Sequence, residues 1–139
     1  MDSTMTDNYL TTNSALAWRV AQVADVLACY DHLPALGSVG VYGAGVYLHP
    51  DYRRDAVRDV CVWADAFGVP VVLDLSSTGY VVAVLDLEGV QARLSESISH
   101  RQAYEYGAAL GVPVSSGGQV QVDAAALLAV LDGQGGVAA

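Results

Sequence analysis

Two hydrophobic periods run along this chain, and the switches between them mark its elements. Leu16, Val20, Val23, Leu27 and Tyr30 recur at alternating steps of four and three, which puts them on one stripe of a helix. Asn13 or Ser14 supplies its cap, and Asp31-His32-Leu33-Pro34 ends it near Tyr30, because a residue before proline avoids the helical region. Ala17, Ala21, Ala24 and Ala28 make a second, smooth stripe. Small side chains let another backbone approach, so a homodimer through this first helix is one expectation. The plainer reading is that alanine is the best helix former.

Period two takes over at Ser38. Val39 and Val41 alternate with Gly40 and Tyr42, and Val46 and Leu48 flank Tyr47, with Gly43-Ala44-Gly45 as the turn. The result is a β-hairpin whose tyrosines stand opposite its valines. Asp51 follows as the predicted N-cap of a helix to Phe67. Ala56, Val57, Val60, Cys61, Ala64 and Phe67 line one side; Arg53, Arg54, Asp55, Arg58, Asp59 and Asp65 cover the other. Gly68 suits the left-handed position after the helix, and Pro70 bars continuation.

Val69–Leu75 is a strand, Ser76–Gly79 turns, and Tyr80–Leu87 returns. Both runs are nearly continuously apolar, which predicts central strands with both faces largely covered. After the turn Glu88-Gly89, Val90–Ser95 alternates and so has one wet face. Ser99 and Gln102 have capping-box spacing for a third helix, closed by Gly111 ahead of Pro113. Gly118–Val122 is a short strand, and Asp123 caps a last helix, Ala124–Leu131, ended by Gly133.

Short turns join most of the strands. The predicted class is therefore α+β, an antiparallel sheet of about five strands (the hairpin plus a three-stranded meander) packed by three to four helices. It forms a single domain over 13–132 between flexible tails at 1–12 and 133–139. The junction Ala66–Val71 recurs as Ala109–Val114, each ending a helix with Gly-Val-Pro-Val. A duplicated strand-helix-strand unit is conceivable, but convergence is the stronger reading because the junction is a common one.

Composition then narrows the function classes. Hydrophobic residues make up 53% and charged ones 15%, which excludes a disordered chain. The net charge is −9, with six arginines and no lysine. Such a field disfavours nucleic acid and anionic membrane surfaces, both of which need clustered cations. The polar start MDSTMTDNYL is not a signal peptide, and no apolar run has the length of a membrane span, so a cytoplasmic location is expected. Cys29 and Cys61 read as reduced core thiols.

Candidate chemistry is sparse. The glycines at 37, 40, 43 and 45 neither match a phosphate-loop spacing nor open directly into a helix. Cys29 and His32 have the spacing of half a zinc motif, without a second pair. His49 and His100 have no nucleophile signature around them, and Asp74 and Asp86 fall too far apart along their strands to pair. No cofactor or metal and no catalytic residue is expected. The tyrosines are the richer signal, because exposed tyrosine favours binding surfaces. Tyr42, Tyr47, Tyr80 and Trp63 are the candidate interaction residues, Trp63 as an interface anchor lying off the main stripe of its helix.

The lysine-free, Ala/Val/Gly/Asp-rich usage is similar to that of high-GC actinobacteria and their phages. The pattern D-H-L-P-x-L-x-S-V-x-V at Asp31–Val41, followed by W-A-D-A-F-G-V-P at Trp63–Pro70, resembles a group of small proteins from such genomes, over roughly residues 15–95. The resemblance implies a source and no activity. The expected function is a small, acidic, non-enzymatic interaction or regulatory protein with a protein partner, such as a phage-type inhibitor or accessory factor. The alternative is a small-ligand-binding domain with a pocket between sheet and helices, for which Tyr80, Trp63 and His49 would serve as walls.

Overall fold

The computed structural model describes residues 11–133. The expected tails therefore lie almost wholly outside the described residues. Thr11, Thr12 and Gly133 are the exceptions, and the Thr12 hydroxyl accepts from Ala15 N and caps the first helix in place of Asn13 or Ser14.

The elements run α1 (Asn13–Ala28), β1 (Leu36–Tyr42), β2 (Gly45–Pro50), α2 (Ala56–Phe67), β3 (Val71–Asp74), β4 (Gly79–Leu87), β5 (Val90–Ile98), α3 (His100–Leu110), β6 (Gln119–Val122) and α4 (Ala124–Leu131). The class is α+β, with four helices and one six-stranded sheet in the order β1-β2-β5-β4-β3-β6. The sheet is mixed rather than wholly antiparallel, since β2 and β5 run parallel from Val46↔Ala92 to Leu48↔Leu94. The cause is topological. After β2 the chain returns through α2, so β3 starts in the same direction as β2, and the meander reverses twice to give β5 that direction again. With β4 held between β3 and β5, whichever meander strand meets β2 must lie parallel to it.

Side-chain alternation divides the sheet into two unlike faces. Val46, Leu48, Leu73, Val81, Ala83, Leu85, Leu87, Ala92 and Leu94 point inward and join one buried cluster with Val23 and Val26 of α1, Val60, Cys61 and Ala64 of α2, Ala103 of α3 and Leu127 of α4. The opposite face bears Tyr47, Val84, Asp86, Gln91 and Arg93, all exposed. The apolar run in β4 is thus not covered on both sides. Val82 is buried outside the main cluster, while Val84 is 43% exposed.

Local signals set the helix ends. Gly68 and Gly111 both adopt left-handed φ, +67° and +68°, and return their N–H groups to the last turn. The Ser99/Gln102 capping box is present, and Asp123 caps α4. The Glu88-Gly89 turn has positive φ at both residues, the conformation whose twist matches a two-residue hairpin. One start differs from expectation: α2 begins at Ala56 with Asp55 as its cap, not at Asp51. The Asp51 carboxylate instead binds Arg53 through both its backbone N–H and its guanidinium, closing a separate turn ahead of the helix.

The repeated junction does not build a repeated unit. After Gly68 the chain enters β3, parallel to β2. After Gly111 the same turn bond forms, Val112 N to Gly107 O as Val69 N to Ala64 O before it, but β6 then runs opposite to β5. The polar side of α2 is also less open than its sequence implies: Arg58 reaches Asp132 at the end of α4. Asp59 is buried there and is held by Arg54 at 2.8 Å.

Candidate functional site

The uncovered sheet face is where exposed aromatic residues collect. Gly40 pairs with Tyr47, and Tyr42 with Gly45, so the two tyrosines sit diagonally across the hairpin. Their rings meet edge to face with centroids 5.7 Å apart. Each ring lies along its own strand toward a glycine two residues back. A Cβ on Gly40 would come within 2.7 Å of the Tyr42 ring, and one on Gly45 within 3.5 Å of the Tyr47 ring. The glycines thus give the rings a flat seat, and Tyr42 remains 59% exposed. Tyr80 shares this face from β4, half-buried and opposite Ser97.

Trp63 does not belong to this surface. It is 3% exposed, completes a three-ring cluster with Tyr30 and Phe67, and donates its indole N–H to Pro34 O at 2.9 Å. The expectation of an interface anchor there is corrected: the residue leaves the main stripe of α2 because the loop after α1 closes over that side of the helix. The tryptophan that does stand exposed is Trp18 on α1, beside the exposed Ala17, Ala21, Ala24 and Ala28. Val20, expected on the inner stripe, is also exposed, because α1 is rotated to bury Val23 and Val26.

A cleft of about 820 Å³ opens at the edge of the tyrosine face. The β2–β5 ladder begins at Val46↔Ala92. Below it Gly45 pairs only with Tyr42, and Gln91 only with Asp86, so the two strand starts are not laddered to each other. Arg19 of α1, Arg93, Tyr47 and Val84 line the wedge between them. A second, apolar hollow of about 280 Å³ lies under the α1–β1 connection, bounded by Leu27, Tyr30, Leu36, Val39 and Trp63.

Several polar groups elsewhere are held in local contacts. Asp74 is buried and accepts from Ser76 N, Ser76 Oγ and Gln119 Nε2 at 2.8, 2.6 and 3.0 Å. The Ser76 hydroxyl and amide hold its carboxyl below the ordinary aspartate value. Asp86 accepts from Gly89 N at the far end of the strand. His100 contacts Ser77 O across 3.0 Å. Burial pushes the Cys61 thiol up to about 12, which removes it as a nucleophile. Among the described residues no group of three or more His, Cys, Asp or Glu side chains is placed to hold a metal ion, and no helix is long and apolar enough to cross a membrane.

Sequence reasoning placed Tyr42, Tyr47 and Tyr80 on surfaces but passed over Arg19 and Arg93. Arg19 stands three residues after Leu16 and four before Val23, which put it on the inner side of α1. That spacing was the available signal. No protein family, curated protein or solved structure matches this chain.

Proposed function

We propose that this chain is a non-enzymatic interaction or regulatory protein that docks a protein partner on its uncovered sheet face, centred on Tyr42 and Tyr47. The observation that carries the reading is the seated tyrosine pair on a sheet face that none of the described helices covers. Tyrosine supplies a large, stiff, amphipathic contact at low entropic cost, which is why it is frequent at binding surfaces. An accessory or inhibitory role suits the resemblance to small actinobacterial and phage proteins, and a partner of basic character suits the −9 charge. The test is capture of partners by the wild-type chain against Tyr42→Ala and Tyr47→Ala, with Trp18→Ala as a control on a different surface. The tyrosine variants lose a partner that the control keeps. Identical capture by all four proteins refutes the reading.

The apolar hollow supports a second reading, a small-ligand-binding domain with its pocket between helices and sheet. Trp63 and Tyr30 form its aromatic wall, whereas Tyr80 and His49 lie on the other face of the sheet and take no part. A thermal-shift screen with small apolar compounds tests it, since a ligand that binds only the folded form raises Tm.

A further inference from the structure

We propose that two copies of this chain pair edge to edge through β1, antiparallel and centred on Gly40, to form one continuous sheet. β1 is bonded to β2 on one side and, among the described residues, to no strand on the other. Tyr42 and Gly45 close a two-residue turn and so exchange hydrogen bonds, and antiparallel pairs alternate between bonded and non-bonded. Tyr42, Gly40 and Ser38 therefore spend their backbone N–H and C=O groups on β2, while those of Val39 and Val41 point away from it. Among the described residues no turn, loop or cap takes up these outward groups. The edge is also open: Gly37, Ser38 and Tyr42 are exposed, and Val39 is 42% exposed.

Free strand edges in monomeric proteins are blunted by short length, charge, proline or a bulge. β6, at the other edge of this sheet, has only four residues. β1 has seven, Leu36–Tyr42, with no charged residue and no proline. Its one irregularity lies between Leu36 and Ser38 and leaves Ser38–Tyr42 in regular pairing. Charge then favours a second copy as the occupant. The chain carries −9, which sets copies against each other, yet Leu33–Pro50 contains no aspartate, glutamate or arginine. At this edge two like chains approach without like charges meeting, and a neutral strand finds its own complement.

Self-pairing also has a register that fits. A twofold axis through the sheet reverses the strand, so the pair is antiparallel and both copies keep their helices on one side. With the axis at Gly40, Val39 of one copy lies opposite Val41 of the other. Each such pair exchanges the hydrogen bonds that β1 leaves open. Gly40 meets its counterpart at a non-bonded position, where strands come closest, about 4.5 Å between Cα atoms. No side chain stands at that position, and the space above each glycine is taken by the Tyr42 ring of its own strand, which a Cβ on Gly40 would approach to 2.7 Å. On the covered side Val39 and Val41 form β-branched cross-strand pairs. The open faces of the two copies become one, with a tyrosine pair on each side of the axis. Partner docking does not depend on this pairing, because each copy carries both Tyr42 and Tyr47, so the two can fail separately.

The test is sedimentation velocity of the full chain from about 1 µM to about 1 mM, the range suited to an interface of one strand pair. The wild-type chain passes reversibly from monomer to dimer across it. Val39→Pro removes an outward N–H and no β1–β2 bond, so the dimer loses one hydrogen bond from each copy and weakens at least about tenfold. If that variant does not fold, Val39→Lys sets a charge at the same exposed edge position and weakens the dimer likewise. Gln121→Lys, on the opposite edge strand, changes nothing. Amide exchange locates the surface: the Val39 and Val41 amides become protected as the wild-type chain is concentrated, while those of Gly40 and Tyr42 are protected throughout. A chain that stays monomeric up to about 1 mM overturns the proposal. So does a dimer in which the Val39 and Val41 amides stay fast, or one that Ala24→Trp dissociates and both Val39 variants leave intact.

Discussion

Replacing Trp63 with phenylalanine separates a core role from an interface role. The indole is 3% exposed and donates to Pro34 O at 2.9 Å, with the rings of Tyr30 and Phe67 centred 6.0 and 5.9 Å away. Phenylalanine keeps an aromatic ring against both neighbours but loses the N–H and the outer part of the indole. The half-buried Pro34 carbonyl, partly reachable by water, then goes unpaired at a cost of about 1 kcal/mol, the low end for such a group. The void left by the smaller ring adds about 1 to 2 kcal/mol. The sum is about 2 to 3 kcal/mol, or a fall in Tm of roughly 10 °C for a domain of this size. Urea unfolding followed by far-UV circular dichroism reads this as a lower midpoint at unchanged slope. Fluorescence gives an independent check, because the chain has two tryptophans, Trp63 buried and Trp18 68% exposed. In Trp63→Phe the remaining emission is red-shifted and fully open to acrylamide. An unchanged midpoint refutes the buried placement of Trp63, and remaining emission that stays blue and shielded refutes the exposed placement of Trp18.

Acid sensitivity traces in part to Asp74. Its folded pKa lies below the unfolded value because Ser76 donates to the charged carboxylate, so its contribution is full above the unfolded pKa and is lost as pH falls through the folded one. Asp74→Asn is less stable at neutral pH and loses less stability on going from about pH 5 downward, as read from urea midpoints against pH. Cys29 is exposed and Cys61 buried; a thiol reagent modifies Cys29 quickly in the native protein and reaches Cys61 only after denaturant is added. Two fast thiols in the native state would contradict the burial of α2. Gly107→Ala places a Cβ 2.6 Å from both Val112 O and Val114 Cγ2, so it destabilises by about 1 to 3 kcal/mol despite better helix propensity, measured by thermal melts. Ala24→Trp tests the dimer seam on α1 by light scattering: a dimer that dissociates supports the seam, and an unchanged mass counts against it.

The parts of the fold legible in the sequence are those fixed within a few residues. Gly68 and Gly111 end helices through their own conformational freedom, and Ser99 with Gln102 closes its capping box across one turn. The hairpin tyrosines fell opposite the valines because strand alternation is a local rule. What was not legible depended on distant segments. Nothing near Val46 announces that Ala92 lies beside it and runs parallel. Asp59 is buried against an Arg54 that reaches back over it from the turn ahead of α2, and Trp63 because the Tyr30–Pro34 loop closes over it. The continuous apolar run of β4 read as two covered faces, but Val84 spends that hydrophobicity on an open one.

The short ladder between β2 and β5 also divides the sheet mechanically. On one side is the β1–β2 hairpin; on the other is a meander whose β4–β5 pairing extends from Gly79↔Ile98 to Leu87↔Val90. Only Val46, Tyr47 and Leu48 bridge the two parts along the sheet. Sub-global opening should follow this line, so amides along it exchange with solvent sooner than those deep in the β4–β5 ladder.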